Sequence, residues 1–79
     1  MADLMLSLLP LDKIMPLYND IRKLRESKNI TQEQLAQAVG VSRQTIVAIE
    51  KGNYTPSLIL GMELAKFFKV SVEELFHVK

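Results

Sequence analysis

The run TQEQLAQAVGVSRQTIVAIEKG, residues 31–52, constrains this chain more tightly than any other feature. Thr31 and Gln34 have the spacing of a capping box, in which each side chain satisfies the other's free backbone N–H at a helix start. Leu35, Ala36 and Val39 then recur on one helical face. Gly40 stands where a helix end favours a left-handed residue. Val41 follows as an apolar anchor and Ser42 as the cap of a second helix. That helix turns Ile46 and Ile49 inward and stops at Gly52. Small Ala36 lets the two helices approach closely. Cap, small residue, glycine, anchor and cap fall in register, so two short helices meeting at a sharp turn are expected.

The flanking sequence supplies partners for that pair. Ile21, Leu24 and the stem of Arg25 share a face of a helix expected from Asp20 to Lys28, with Asn19 or Asp20 as cap and Asn29 as stop. Thr55 and Pro56 are expected to open a fourth helix running to Phe68, since proline suits a first helical turn. Leu58, Gly61, Leu64, Ala65 and Phe68 would fill its inner face, with Gly61 permitting close contact. Ser71 and Glu74 form a second capping box ahead of a short last helix containing Leu75. The expected fold is all-α, a five-helix domain over residues 18–79. Leu17-Tyr18 and Phe76-His77-Val78 alternate briefly and could pair as a small two-stranded antiparallel ribbon.

Residues 1–17 form an apolar N-terminal extension, rich in leucine and methionine. It lacks a basic start, carries Asp3 and is broken by Pro10 and Pro16, so it reads neither as an export signal nor as a membrane span. The absence of cysteine removes disulfide and thiolate-metal staples and suits a reducing cytoplasm. A chain of 79 residues buries only roughly 60% of its unfolded surface, so helix packing or a second copy must stabilise it.

The chemistry of an enzyme is not in view. His77 is the only histidine and has no cluster of ligands around it in sequence. Adjacent Glu73 and Glu74 face different directions, and the four methionines read as core filler. No cofactor, metal site or catalytic residue is expected. The net charge is only +1, so any polyanion binding must rest on where charges lie.

The outer face of the third helix is unusual. Gln44, Val47, Ala48 and Lys51 share it at i, i+3, i+4 and i+7, opposite Ile46 and Ile49. One amide, small apolar groups and a cation at the edge suit a DNA major groove better than an ordinary solvated face. Gln44 could read an adenine edge, and Val47 or Ala48 a thymine methyl. Arg43 could read guanine or hold a phosphate. Gln32, at the start of the second helix, lies where free N–H groups suit a phosphate. Lys51, Asn53 and Tyr54 follow the helix and could grip the other backbone wall.

On these residues, and on the local runs TQEQLAQAVGVSRQTI and IEKGNYTPSL, the chain from Ile21 to Phe76 resembles the Cro/C1-type, or xenobiotic-response-element, family of helix-turn-helix transcriptional regulators. The resemblance implies a lambda-repressor-like domain whose third helix enters the major groove. It places Gln32 on a phosphate and at the edge of the first base, and Arg43, Gln44, Thr45 and Ala48 at base-reading positions. It pairs Arg25 with Glu50 in a structural salt bridge. Two departures stand out: Lys69 occupies a turn where the family usually has glycine, and the extension at 1–17 is foreign to the family's core.

Leu60 and Phe67 fall on a separate flank of the fourth helix, about 80–100° from its inner stripe. Either the core is wide there or the flank, joined by Phe76 and Val78, is a homodimer surface. The expected activity is that of a homodimeric repressor on double-stranded DNA with a near-palindromic site. A protein partner bound through residues 1–17 is the rival reading.

Overall fold

In the computed structural model the described residues are 17–78. The expectations for 1–16 lie outside them. The element order is β1 (Leu17–Asn19), α1 (Ile21–Ser27), α2 (Gln32–Val39), α3 (Arg43–Glu50), α4 (Leu58–Phe68), α5 (Val72–Leu75) and β2 (Phe76–Val78). The five helices are those expected. β1 and β2 pair antiparallel as the two-stranded ribbon, Leu17 opposite Val78, Tyr18 opposite His77 and Asn19 opposite Phe76.

Side-chain caps start four of the helices. Thr31 with Gln34 and Ser71 with Glu74 close both halves of their capping boxes, and Ser42 accepts the Thr45 N–H. The fourth start corrects the sequence reading. Ser57, not Thr55 or Pro56, caps α4 by accepting the Leu60 N–H at 3.2 Å, so Pro56 lies outside the helix. A serine hydroxyl can satisfy an orphan donor that proline can only avoid exposing.

Four helices end through a left-handed residue: Asn29 after α1, Gly40 after α2, Gly52 after α3 and Lys69 after α4. Each end returns the N–H of the next residue to a carbonyl five back, namely Ile30 to Arg25, Val41 to Ala36, Asn53 to Ala48 and Val70 to Ala65. This is the Schellman arrangement, which satisfies carbonyls the helix leaves open. Ile30, Val41 and Val70, thrown inward by these turns, pack on the core. Lys69 therefore holds the turn in the family's glycine geometry, at φ 59° and ψ 41°. The joint is strained rather than rearranged, since a left-handed L-residue costs about 1–2 kcal/mol.

The core is Ile21, Leu35, Ala36, Ile46, Ile49, Leu64, Ala65, Phe68 and Leu75, with α2 packed on both α3 and α4. Leu58 is a second correction. It was expected on the inner face of α4 and is 74% exposed, because the later helix start leaves the first turn projecting beyond the core.

Candidate nucleic-acid interface

α3 is short, and both of its ends are fixed from outside. At its start Ser42 Oγ accepts the Thr45 N–H at 3.2 Å and lies 3.0 Å from Thr45 Oγ1, so the Thr45 hydroxyl is engaged locally. At its end Gly52 N–H bonds the Ile49 carbonyl at 3.0 Å and Asn53 N–H bonds that of Ala48 at 2.9 Å. Ile46 and Ile49 are buried as expected. Arg43, Gln44 and Lys51 are exposed, and Val47 and Ala48 half-buried, on the opposite side. Asn53 and Tyr54 are exposed in the turn beyond.

α3 is tied to the first two helices by Glu50. Its side chain is 4% exposed, and the carboxylate accepts from Arg25 Nε at 2.8 Å and from Arg25 Nη2 at 3.2 Å. The third guanidinium nitrogen, Nη1, donates to the Ile30 carbonyl at 2.9 Å. The hydrogen bond to Glu50, opposed by burial, holds the Arg25 pKa above its ordinary value, so the cation persists at any working pH. Planar two-point recognition of this kind is what a guanidinium does better than an ammonium.

A third donor reaches the same carboxylate. Gln32 Nε2 lies 3.2 Å from Glu50 Oε1. The side chain proposed from sequence for a phosphate thus points along α3, beside Arg43, Val47 and Lys51, with which it lines a surface cleft. Of the basic residues around that cleft, Arg22 pairs with Glu26 at 3.2 Å and Arg25 with Glu50. Arg43 and Lys51 make no ion pair among the described residues, so their charge is available to an incoming polyanion.

Asn19 is the residue whose part was missed. It was read as a possible cap of α1, and its Oδ1 does accept the Ile21 N–H at 3.1 Å. Its Nδ2 also donates to the Ile49 carbonyl at 3.0 Å, across 30 positions. Asn19 therefore tethers the last turn of α3 to the ribbon and to the start of α1. Asp20, freed from capping, meets His77 Nε2 at 2.9 Å across the ribbon. Nothing local in the sequence signals either long-range contact.

The four residues suggested for a dimer surface divide between two flanks of α4. Leu60 and Phe67 are half-buried against the core, and the Phe67 ring stands edge-on to that of Phe68 at 5.1 Å. Phe76 lies at the other side, where an added Cβ on Gly61 would sit 3.6 Å from its ring. Together with Leu17, Pro56, Leu58 and Val72 it lines an apolar groove, about 160° around α4 from Leu60. Next to it Leu58, Ile59, Met62 and Val78 are exposed. No group of His, Cys, Asp and Glu among the described residues could hold a metal ion. None of the described helices is long and apolar enough to cross a membrane.

Comparison with known proteins agrees with this geometry. A family model described as helix-turn-helix matches residues 21–75. An uncharacterised HTH-type transcriptional regulator of Methanocaldococcus jannaschii is 55% identical over 58 residues, which cover 73% of this chain and 88% of that one. The cryptic phage CTXphi transcriptional repressor RstR of Vibrio cholerae is 42% identical over 55 residues, 70% of this chain and 50% of its own. The HTH-type transcriptional activator BcrR of Enterococcus faecalis matches at the same 42% over 55 residues, 70% of this chain and 27% of its own. Among solved structures, the restriction-modification controller protein C.AhdI from Aeromonas hydrophila superposes with a TM-score of 0.64 at 31% identity, covering 68% of this chain and 82% of that one.

Proposed function

The chain belongs to the helix-turn-helix family of DNA-binding transcriptional regulators, and from that premise we propose that it is a cytoplasmic repressor acting as a homodimer, with α3 in the major groove. The observation that carries the reading is the outward face of α3. Arg43 and Gln44 stand exposed at its N-terminal end, Val47 and Ala48 form a low shoulder, and Lys51 closes it. A helix bearing small groups between a reader and a cation fits a groove about 12 Å wide. Arg43, Gln44, Thr45, Val47 and Ala48 are assigned to bases, Thr45 through its methyl because its hydroxyl is already bonded to Ser42. Gln32, Lys51, Asn53, Tyr54 and the backbone N–H groups at the start of α2 are assigned to phosphates.

One copy offers few unpaired cations, so a second is needed for affinity. The dimer contact is placed on the apolar groove, where Leu58, Met62, Phe76 and Val78 leave apolar area uncovered. Leu60 and Phe67, packed against the core on the opposite flank of α4, lie outside it. Repression is proposed from the likeness to the phage repressor RstR; the activator BcrR, equally identical, marks the alternative that a reporter assay distinguishes.

Selection of bound duplexes from a random pool tests the reading. A near-palindrome with half-site centres about 34 Å apart is expected. No enriched sequence would overturn the DNA assignment, and a lone half-site bound by a monomer would overturn the dimer. A reporter with the selected site overlapping its promoter should fall in output; a rise would reverse the direction assigned.

A further inference from the structure

We propose that Asn19 is a positioning residue for DNA binding: without touching the duplex, it aims the turn at residues 51–55 so that Lys51, Asn53 and Tyr54 meet phosphates. The inference rests on the reading that these three side chains grip the DNA backbone. Lys51, Gly52, Asn53, Tyr54 and Thr55 are all exposed, so no buried side chain of theirs anchors the turn. A cavity of about 130 Å³, lined by Asn19, Ile49, Gly52 and Tyr54 together with Leu17 and Phe76, lies between the turn and the ribbon. The turn hangs instead from the last carbonyls of α3. Lys51 N–H donates to that of Val47 at 3.1 Å, Gly52 N–H to Ile49 at 3.0 Å and Asn53 N–H to Ala48 at 2.9 Å. The direction of the turn is therefore the direction of those carbonyls.

Asn19 Nδ2 donates to the Ile49 carbonyl, the same oxygen that takes the Gly52 N–H. The amide has a defined sense, because each end meets a backbone group of one kind: Nδ2 an acceptor, and Oδ1 the Ile21 N–H at 3.1 Å. Its base is firm as well. Asn19 pairs with Phe76 in the ribbon, and the Asp20 N–H bonds the Leu75 carbonyl at 3.0 Å. Buried Ile49 already fixes how near the last turn of α3 lies to the core. Apolar packing has no direction, whereas a hydrogen bond has, so the amide adds the orientation that packing leaves open. Gln44, near the Ser42-capped start of α3, is set from the other end. Loss of the Asn19 amide thus reaches the phosphate contacts, which carry no sequence information, and spares the base readers.

Asn19→Ser removes the reach to Ile49 yet keeps a neutral acceptor for the Ile21 N–H. The full chain, Asn19→Ser, Lys51→Ala, Gln44→Ala and the double variants are titrated with a duplex enriched by selection and with a random-sequence duplex. The salt series is run where circular dichroism shows each protein folded. Asn19→Ser should weaken both duplexes alike by roughly two- to tenfold, the worth of one hydrogen bond, with a smaller salt slope. Placed on Lys51→Ala it should cost a smaller factor, and placed on Gln44→Ala its full factor. Unchanged affinity in the folded variant would leave Asn19 a stabilising role alone and overturn the proposal. So would a loss confined to the enriched duplex, which assigns base reading, or the full factor on Lys51→Ala, which places the action elsewhere. Should Asn19→Ser not fold, Asn19→Thr, with the same hydroxyl and a better fit to a strand, is judged by the same outcomes. If Lys51→Ala binds as the full chain does, the phosphate reading of the turn fails and takes the proposal with it. That result is distinct from those in which Lys51 matters and Asn19 does not.

Discussion

Replacing Glu50 by alanine should destabilise the protein by about 3 kcal/mol, the lower end of the cost of breaking a buried ion pair. The lower end applies because Arg25 keeps 12% exposure and its bond to the Ile30 carbonyl, while Glu50 itself is 4% exposed. Removing the carboxylate leaves the guanidinium without a counter-ion for two of its nitrogens, and Gln32 loses its acceptor. A loss of about 3 kcal/mol lowers the folding constant roughly 150-fold, and a small domain has little more than about 5 kcal/mol to lose. With a urea dependence near 1 kcal/mol per molar, the midpoint should fall by about 3 M. Arg25→Ala should cost at least as much, since it also orphans the Ile30 carbonyl. The double alanine variant should cost less than the sum of the singles by about 2 kcal/mol, and Arg25→Met with Glu50→Leu should recover most of the stability. The assay is urea unfolding followed by far-UV circular dichroism at fixed protein concentration. A Glu50→Ala shift under about 1 M at unchanged slope, or strict additivity in the cycle, would refute the claim that this pair braces α1 against α3.

Four further outcomes follow from the geometry. Lys69→Gly should raise stability by about 0.5–1 kcal/mol, relief of the left-handed strain less the added freedom of the unfolded chain; the melting temperature should rise by several degrees, and a fall would assign a stabilising contact to the lysine. Asn19→Asp keeps the acceptor for the Ile21 N–H but loses the donor to the Ile49 carbonyl; amide exchange should quicken at the end of α3 and not at the start of α1, and equal quickening at both would deny the tether. The Ser71 backbone N–H, then its hydroxyl, hold the Glu74 carboxyl below the usual carboxylate range. Its contribution is therefore complete above the unfolded pKa and is lost as pH falls through the folded one, so Glu74→Gln should flatten the loss of stability below about pH 4. Gln44→Ala should cost about 1–3 kcal/mol at a single base position whereas Lys51→Ala weakens all duplexes alike, as binding assays against matched and shuffled sites would show.

The elements legible in the sequence are those whose determinants lie within one helical turn. Thr31 with Gln34, Ser42 with Thr45 and Ser71 with Glu74 each act over three residues, so a cap can be read from spacing alone. Gly40 and Gly52 announce the left-handed stops for the same reason. The start of α4 was misread because Pro56 and Ser57 are both start signals, and only the hydroxyl bond to Leu60 decides between them. Two groups with the same local signature diverge by tertiary context: Leu58 and Leu64 both suit an inner stripe, yet one is exposed and the other buried. The Arg25–Glu50 pair was reachable through family resemblance, but the Gln32 contact spans 18 positions and that of Asn19 spans 30. Neither has a periodic signature, because polar side chains that meet across a fold leave no pattern along it.

These long-range bonds explain how so short a helix can present a fixed face. An isolated α3 of 8 residues would scarcely form, since nucleation is costly and about 12–15 residues are needed even for favourable sequences. Its pose is imposed instead by buried Ile46 and Ile49, the Ser42 cap, the Gly52 turn, the Arg25 fork on Glu50 and the Asn19 bond to Ile49. All of these lie on the inward side or at the ends. None uses the side chain of Arg43, Gln44 or Lys51, so those three can be exchanged at small cost in stability. Gln32 cannot be separated so cleanly, because its orientation depends on the same carboxylate that joins α1 to α3. Substitutions at Glu50 should therefore alter fold stability and the placement of Gln32 together, whereas those along the outer face of α3 should alter DNA binding alone.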